Sequence, residues 1–155
     1  MRIRSPMRIA LFQPEIAGNV GAILRLAACM NVGVDVIEPT GFIFSDARMK
    51  RAGMDYIDQV QMTRHVDWAA FHAQLSGRLM LLSTKASADL YASTFQPSDV
   101  LLFGCESAGV PDYVVETCAL RMRIPIASSA RSLNLSVAAG IALGEALRQT
   151  GGLPS

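Results

Sequence analysis

Short apolar runs rich in β-branched residues alternate with helical patterns along the whole chain, and this alternation constrains the fold more than any other feature of the sequence. Strands that are apolar on both sides must be buried on both faces, which is the condition of a parallel sheet with helices above and below it. The reading is therefore α/β. Residues 8–12 form a first strand closed by Pro14, and residues 19–30 form a helix with Ile23, Leu26, Ala27 and Met30 on one face. Asn19 stands as that helix's N-cap and Gly33 as its stop. Strands are expected at 34–37, 60–63, 79–83, 100–103 and 122–126. Helices are expected at 47–52, capped by Ser45 and Asp46, at 66–75, from Pro111 onward, and from about 135 to Gly151.

A chain of 155 residues is the size of one domain and buries enough surface to need no disulfide staples. Residues 7–155 read as that single domain, with 1–6 as an extension, because Met7 serves equally well as a start. Cys29, Cys105 and Cys118 are odd in number and form no C-x-x-C pair, so they suggest reduced thiols in the cytosol and neither a disulfide framework nor a zinc site. No metal is expected. The apolar run at 9–12 is too short for a signal peptide, and no stretch approaches the roughly 18–20 apolar residues of a membrane span. Charged residues are only 17% of the chain, a thin polar coat that points to a face covered in a homodimer. A formal net charge of +1 excludes a generally basic surface but leaves room for a local basic patch.

Two loops rich in glycine, serine and asparagine follow strands: 104–111 and 127–134. Ligands bind at such carboxyl ends in open α/β sheets. Gly18-Asn19-Val20-Gly21 follows a strand and opens a helix but lacks the G-x-G core of a dinucleotide fingerprint. Cys105-Glu106-Ser107-Ala108-Gly109 approaches a hydrolase elbow, yet His65 and His72 both precede the serine, the wrong order for that triad. Packing or solvent suffices for both histidines. A ligand gripped mainly by backbone amides explains more residues, with Gly104, Gly109, Ser128, Ser129 and Ser132 allowing close approach. Glu106, Arg131, Asn134 and Ser136 would add directed contacts, and Glu106 with Arg131 is a candidate ion pair. Turn and cap chemistry accounts for the same loops, since Ser132 and Asn134 are both credible N-caps. Arg25 either turns toward the ligand edge or lies on the surface.

The ordered set Pro14-Glu15-Ile16, Asn19-Val20-Gly21, Ile23-Leu24-Arg25, Phe103 through Pro111, Arg123-Ile124-Pro125 and Ser132-Leu133-Asn134-Leu135-Ser136 resembles the three motifs of SPOUT-class RNA 2'-O-methyltransferases. Residues 37–42, 51–56 and 83–85 resemble in particular the tRNA (cytidine(34)-2'-O)-methyltransferase subfamily, which acts on the wobble nucleotide, and the likeness runs from 7 to 151. It implies a parallel-sheet SPOUT fold with a C-terminal trefoil knot, a homodimer, and methyl transfer from S-adenosylmethionine to the ribose 2'-hydroxyl of a wobble cytidine or modified uridine in tRNA. Carried over by motif, Leu82, Gly104, Glu106, Ile124, Ser132 and Leu133 would bind the donor. Arg25, Asn134 and Ser136 would serve the reaction, Arg25 by fixing phosphate and meeting the charge that develops on the 2'-oxygen, because its own pKa is too high for a base.

The RNA side is assigned to Arg48, Lys50, Arg51, Arg64 and Arg131. The alternative is a catalytically silent RNA-binding dimer of the same fold, against which the intact Arg25, Glu106 and Asn134 count. One departure stands out. Gly144 occupies the place before Glu145 where the subfamily usually carries tyrosine.

Overall fold

The computed structural model describes residues 5–44 and 60–155. The expected basic helix at 47–52 with its caps Ser45 and Asp46, the candidates Arg48, Lys50 and Arg51, and the 51–56 motif lie outside the described residues.

Among the described residues seven strands form one sheet in which every pairing is parallel: β1 (Arg8–Phe12), β2 (Gly33–Ile37), β3 (Met62–His65), β4 (Leu79–Leu82), β5 (Ala88–Asp89), β6 (Val100–Phe103) and β7 (Leu120–Arg123). Their order across the sheet is β3-β2-β1-β6-β4-β7-β5. The central strands are buried on both faces, as their composition requires. Ile9, Leu11, Met80, Leu101 and Phe103 face α1 (Ala17–Met30) and α4 (Leu135–Thr150), while Ala10, Leu79, Leu81, Val100 and Leu102 face α2 (Trp68–Ala73) and α3 (Asp112–Val115). A side-chain period of two thus feeds two cores from one strand.

The helix ends show where local chemistry ruled. Asp67 caps α2 by accepting from the Ala70 amide at 2.8 Å. Asn134 caps α4, and Gly151, at φ 72°, closes it in the left-handed region. Pro111 is the N-cap of α3, which therefore begins at Asp112, one residue later than read. The start of α1 differs from expectation. It begins at Ala17 after Ile16, which supplies no side-chain cap, so Asn19 is a buried residue inside the helix rather than its cap.

Nor does Gly33 stop α1. Asn31 turns the chain at φ 59°, and Gly33 opens β2 beneath the Arg8 guanidinium, where a Cβ would stand 2.0 Å from Nη1. That arginine bonds Asp35 at 2.7 Å, and Asp35 also meets His65 Nε2 at 2.8 Å, so His65 is a buried structural partner packed edge-on to Phe71. This contact explains why β3 is shifted two residues beyond the apolar run at 60–63: pairing with β2 sets Ile37 beside His65. Likewise β7 ends at Arg123, short of the expected 126, because its two partners run out there: β4 ends at Leu82 opposite Met122 and β5 at Asp89 opposite Arg123.

Candidate active site

Three segments at the carboxyl ends of β4, β6 and β7 enclose a cavity of about 650 Å³. Residues 83–86 follow β4, 104–110 follow β6, and 124–135 lead from β7 into α4. Leu82, Ile124, Ile126, Leu133 and Ala138 give apolar walls, and the intervening loops present their main chain. The site sits where strand order departs from sequence order, with β6 between β1 and β4.

Glu106 organises the cavity's mouth. Its carboxylate accepts from the backbone amides of Glu15 (2.9 Å) and Ile16 (3.0 Å) and from Asn19 Nδ2 (3.1 Å). The start of α1, which has no cap of its own, is therefore held by a carboxylate from another loop. Glu15 returns the contact, accepting from the Ser107 amide (2.8 Å) and hydroxyl (2.7 Å). Those bonds from Ser107 hold the Glu15 carboxyl below the usual carboxylate range. A depressed pKa makes this contact complete at neutral pH and lost only as pH falls through the lowered value.

Asn19 continues the network: its Oδ1 accepts from Asn134 Nδ2 at 3.1 Å, and Asn134 Oδ1 accepts from the Ser136 amide (2.9 Å) and hydroxyl (2.6 Å) and the Val137 amide (3.3 Å). An unbroken polar line thus joins the loop after β6, the first turn of α1 and the first turn of α4. Glu106→Ala removes acceptors from three donors, and at about 1–3 kcal/mol for a bond to a charged group it is expected to lower the thermal midpoint by several degrees and weaken donor binding, measured by calorimetry.

Of the sequence candidates, Leu82, Gly104, Glu106, Ile124, Arg131, Ser132, Leu133 and Asn134 line this cavity. Three do not. Ser136 lies behind Asn134 as its hydrogen-bond donor. Arg25 is exposed on α1, and six residues beyond Asn19 a helix has turned by about 240°, away from the cavity. Arg64 is tied to the Glu38 carboxylate and lies over the Phe44 ring, 4.0 Å from its centroid, so its charge is largely answered within the protein.

The suggested Glu106–Arg131 ion pair does not form, because amide donors and Asn19 take the carboxylate instead. Gly144 leaves open space around its would-be Cβ, and Glu145 is bound by Arg148 (2.8 Å) and Gln149 (2.8 Å), which lower its pKa to about 2. Sequence reasoning missed the structural role of Asn19 and Glu15. The Pro14-Glu15-Ile16 motif was the available signal, but nothing local shows a carboxylate reaching across 92 residues.

Among the described residues no group of three or more His, Cys, Asp or Glu side chains gathers as a metal site, and no helix is long and apolar enough to cross a membrane.

The chain is 52% identical over 148 residues to a tRNA (cytidine(34)-2'-O)-methyltransferase of Beijerinckia indica, covering 94% of this chain and 92% of that protein. A solved structure concerned with "the 2-OH methylation of C/U34 on tRNA" superposes with a TM-score of 0.87 at 40% identity, over 92% of this chain and 95% of the other. An AdoMet-bound rRNA methyltransferase from Sinorhizobium meliloti superposes with a TM-score of 0.84 at 28% identity, over 94% of this chain and 57% of its own length. Residues 6–144 match the SpoU rRNA Methylase family. With its parallel sheet, its strand-end cavity and this likeness along almost its whole length, the chain belongs to the SpoU methylase family, within the SPOUT fold class.

Proposed function

We propose that the protein transfers a methyl group from S-adenosylmethionine to the ribose 2'-hydroxyl of the wobble nucleotide, cytidine or modified uridine, of tRNA. The carrying observation is the cavity at the ends of β4, β6 and β7, whose apolar walls and loop main chain suit an adenosine-sized group. The names of the similar proteins supply the position and the tRNA. When bound, S-adenosylmethionine supplies a methyl group activated by its sulfonium sulfur. The chain's own residues do the rest. Leu82, Ile124 and Leu133 exclude water from the donor's rings, Gly104 and Ser132 offer backbone at close range, and Glu106 and Asn134 hold the loops in place. Arg25, exposed on α1 and turned away from its own chain's cavity, acts on the RNA side at the cavity of the second copy in the homodimer, by binding a phosphate and meeting charge on the attacking oxygen there.

The same reading includes a trefoil knot, in which the segment 124–134 threads beside the loops after β4 and β6. It also includes a homodimer in the cytoplasm. Ile16 and Val137, about half exposed at the starts of α1 and α4, belong to an apolar face fit for a second copy. The three free cysteines suit a reducing compartment. A silent RNA-binding dimer is less well supported, because such a protein has no need of a formed donor cavity.

The test is methylation of unmodified and total tRNA with labelled donor, followed by mapping of the resistant ribose. Label at position 34 and a dimeric mass by light scattering are expected. Label elsewhere in tRNA, or none, overturns the assignment.

A further inference from the structure

Resting on the reading above, one feature of the cavity's charge deepens it. Among the described residues, Arg8, Arg64, Arg78 and Arg148 each hold a carboxylate partner, respectively Asp35, Glu38, Asp99 and Glu145. Lys85, Arg121 and Arg131 form no ion pair with a described residue, and all three are exposed walls of the same cavity. They come from three different places: the turn after β4, the strand β7 and the loop before α4. Lys85 and Arg121 also border a second hollow of about 700 Å³ that adjoins the first between residues 85–88, α3 and β7.

The cavity's carboxylates are Glu106 and Asp112. Glu106 already accepts from three N–H donors and is turned to α1. In the second hollow Glu116 joins Asp112. The walls of the first cavity thus carry three cations against two anions, one of them engaged elsewhere.

The donor cannot account for that excess. Its sulfonium and ammonium outweigh its carboxylate, so it arrives with a net positive charge, and like charge around a site lowers affinity for it. A polyanion is the partner that this field attracts. We propose that Lys85 and Arg121, with Arg131, form a phosphate rim that holds the RNA backbone next to the nucleotide being methylated. A consequence is thermodynamic coupling. RNA phosphates laid on the rim neutralise the charge that opposes the donor, so each ligand raises the affinity for the other by the same factor.

The experiment uses the full chain as K85Q/R121Q, and as K85R/R121K in which charge is kept and shape is changed. Binding of tRNA, with its dependence on salt, and binding of the methyl donor alone are measured separately. For K85Q/R121Q, tRNA affinity is expected to fall about tenfold, and the slope of log affinity against log salt to drop by about 0.7 for each lost contact. Donor affinity without RNA is expected to hold or rise, which also shows the variant folded, and added tRNA should no longer enhance it. K85R/R121K should bind tRNA nearly as the parent does.

Unchanged tRNA affinity and slope in K85Q/R121Q overturn the rim. Weaker donor binding in that variant with tRNA unaffected assigns the cations to the donor's carboxylate and overturns it equally. A parent protein that binds tRNA with the coupling described but methylates no ribose refutes the proposed activity and leaves the rim standing.

Discussion

Replacing Arg25 with alanine is expected to lower methyl transfer by about two to three orders of magnitude, the usual cost of removing one donor aimed at developing charge. Affinity for the methyl donor should be nearly unchanged, because Arg25 contributes nothing to the walls of the cavity. Its exposure on α1 makes a large loss of stability unexpected as well. Arg25→Lys should restore little, since a compact ammonium does not reproduce the planar two-pronged contact of a guanidinium. Single-turnover transfer beside calorimetry with the donor separates these effects. Near-normal turnover in a folded, dimeric Arg25→Ala protein would move the assignment to Arg131, the arginine that does line the cavity.

Gly104→Val should abolish donor binding, with affinity falling by about a hundredfold or more, and the reason lies in the protein's own backbone. A Cβ at position 104 would stand 2.4 Å from the Gly109 carbonyl carbon and 2.5 Å from its Cα. No backbone atom can give that much without moving the loop. The loop is closed just there: Cys105 and Gly109 exchange both main-chain hydrogen bonds, at 3.1 and 3.0 Å, and Gly109 turns at φ 66°. A side chain at 104 therefore splays this closure, and with it the residues that place Glu106 and Ser107. Thermal melting should show a reduced midpoint, and calorimetry no measurable heat with the donor. Donor affinity within a few-fold of the parent would show that the cavity is not the donor site.

The strands were legible because their signal is local. Burial on both faces leaves an unbroken apolar run, as in Val100-Leu101-Leu102-Phe103, which needs no knowledge of its neighbours. The ends of the last helix were legible for the same reason, as Asn134 and Gly151 show, whereas Asp67, read as an acid inside its helix, is that helix's cap. What failed was set by partners distant in sequence. The end of β3 follows from Asp35 reaching His65, and the start of α1 from a carboxylate ninety residues away. β5, two residues long, has too little pattern to be seen at all.

In the site, loop positions could be read from glycine and serine, and the family motifs named most of the residues that the fold brings together. Side-chain direction could not be read. Arg64, a plausible RNA contact by type, is paired with Glu38, whereas Lys85 and Arg121, unremarkable by type, stand beside the cavity.

The bond between the Asn19 and Asn134 side chains, which spans 115 residues, also sets a schedule for the protein's birth. A nascent chain that has left the ribosome only as far as Arg123 already holds every strand of the sheet. It still lacks the wall formed by Ile124, Ile126 and Leu133, and the α4 residues Ala139, Ala142, Leu143, Ala146 and Leu147 that complete the core shared by α1 and the sheet. The cavity is completed only when α4 docks, Asn134 reaches Asn19 and the polar line to Glu106 closes. A chain without α4 therefore has no complete cavity in which to sequester the methyl donor, and binding competence arrives only when that helix docks.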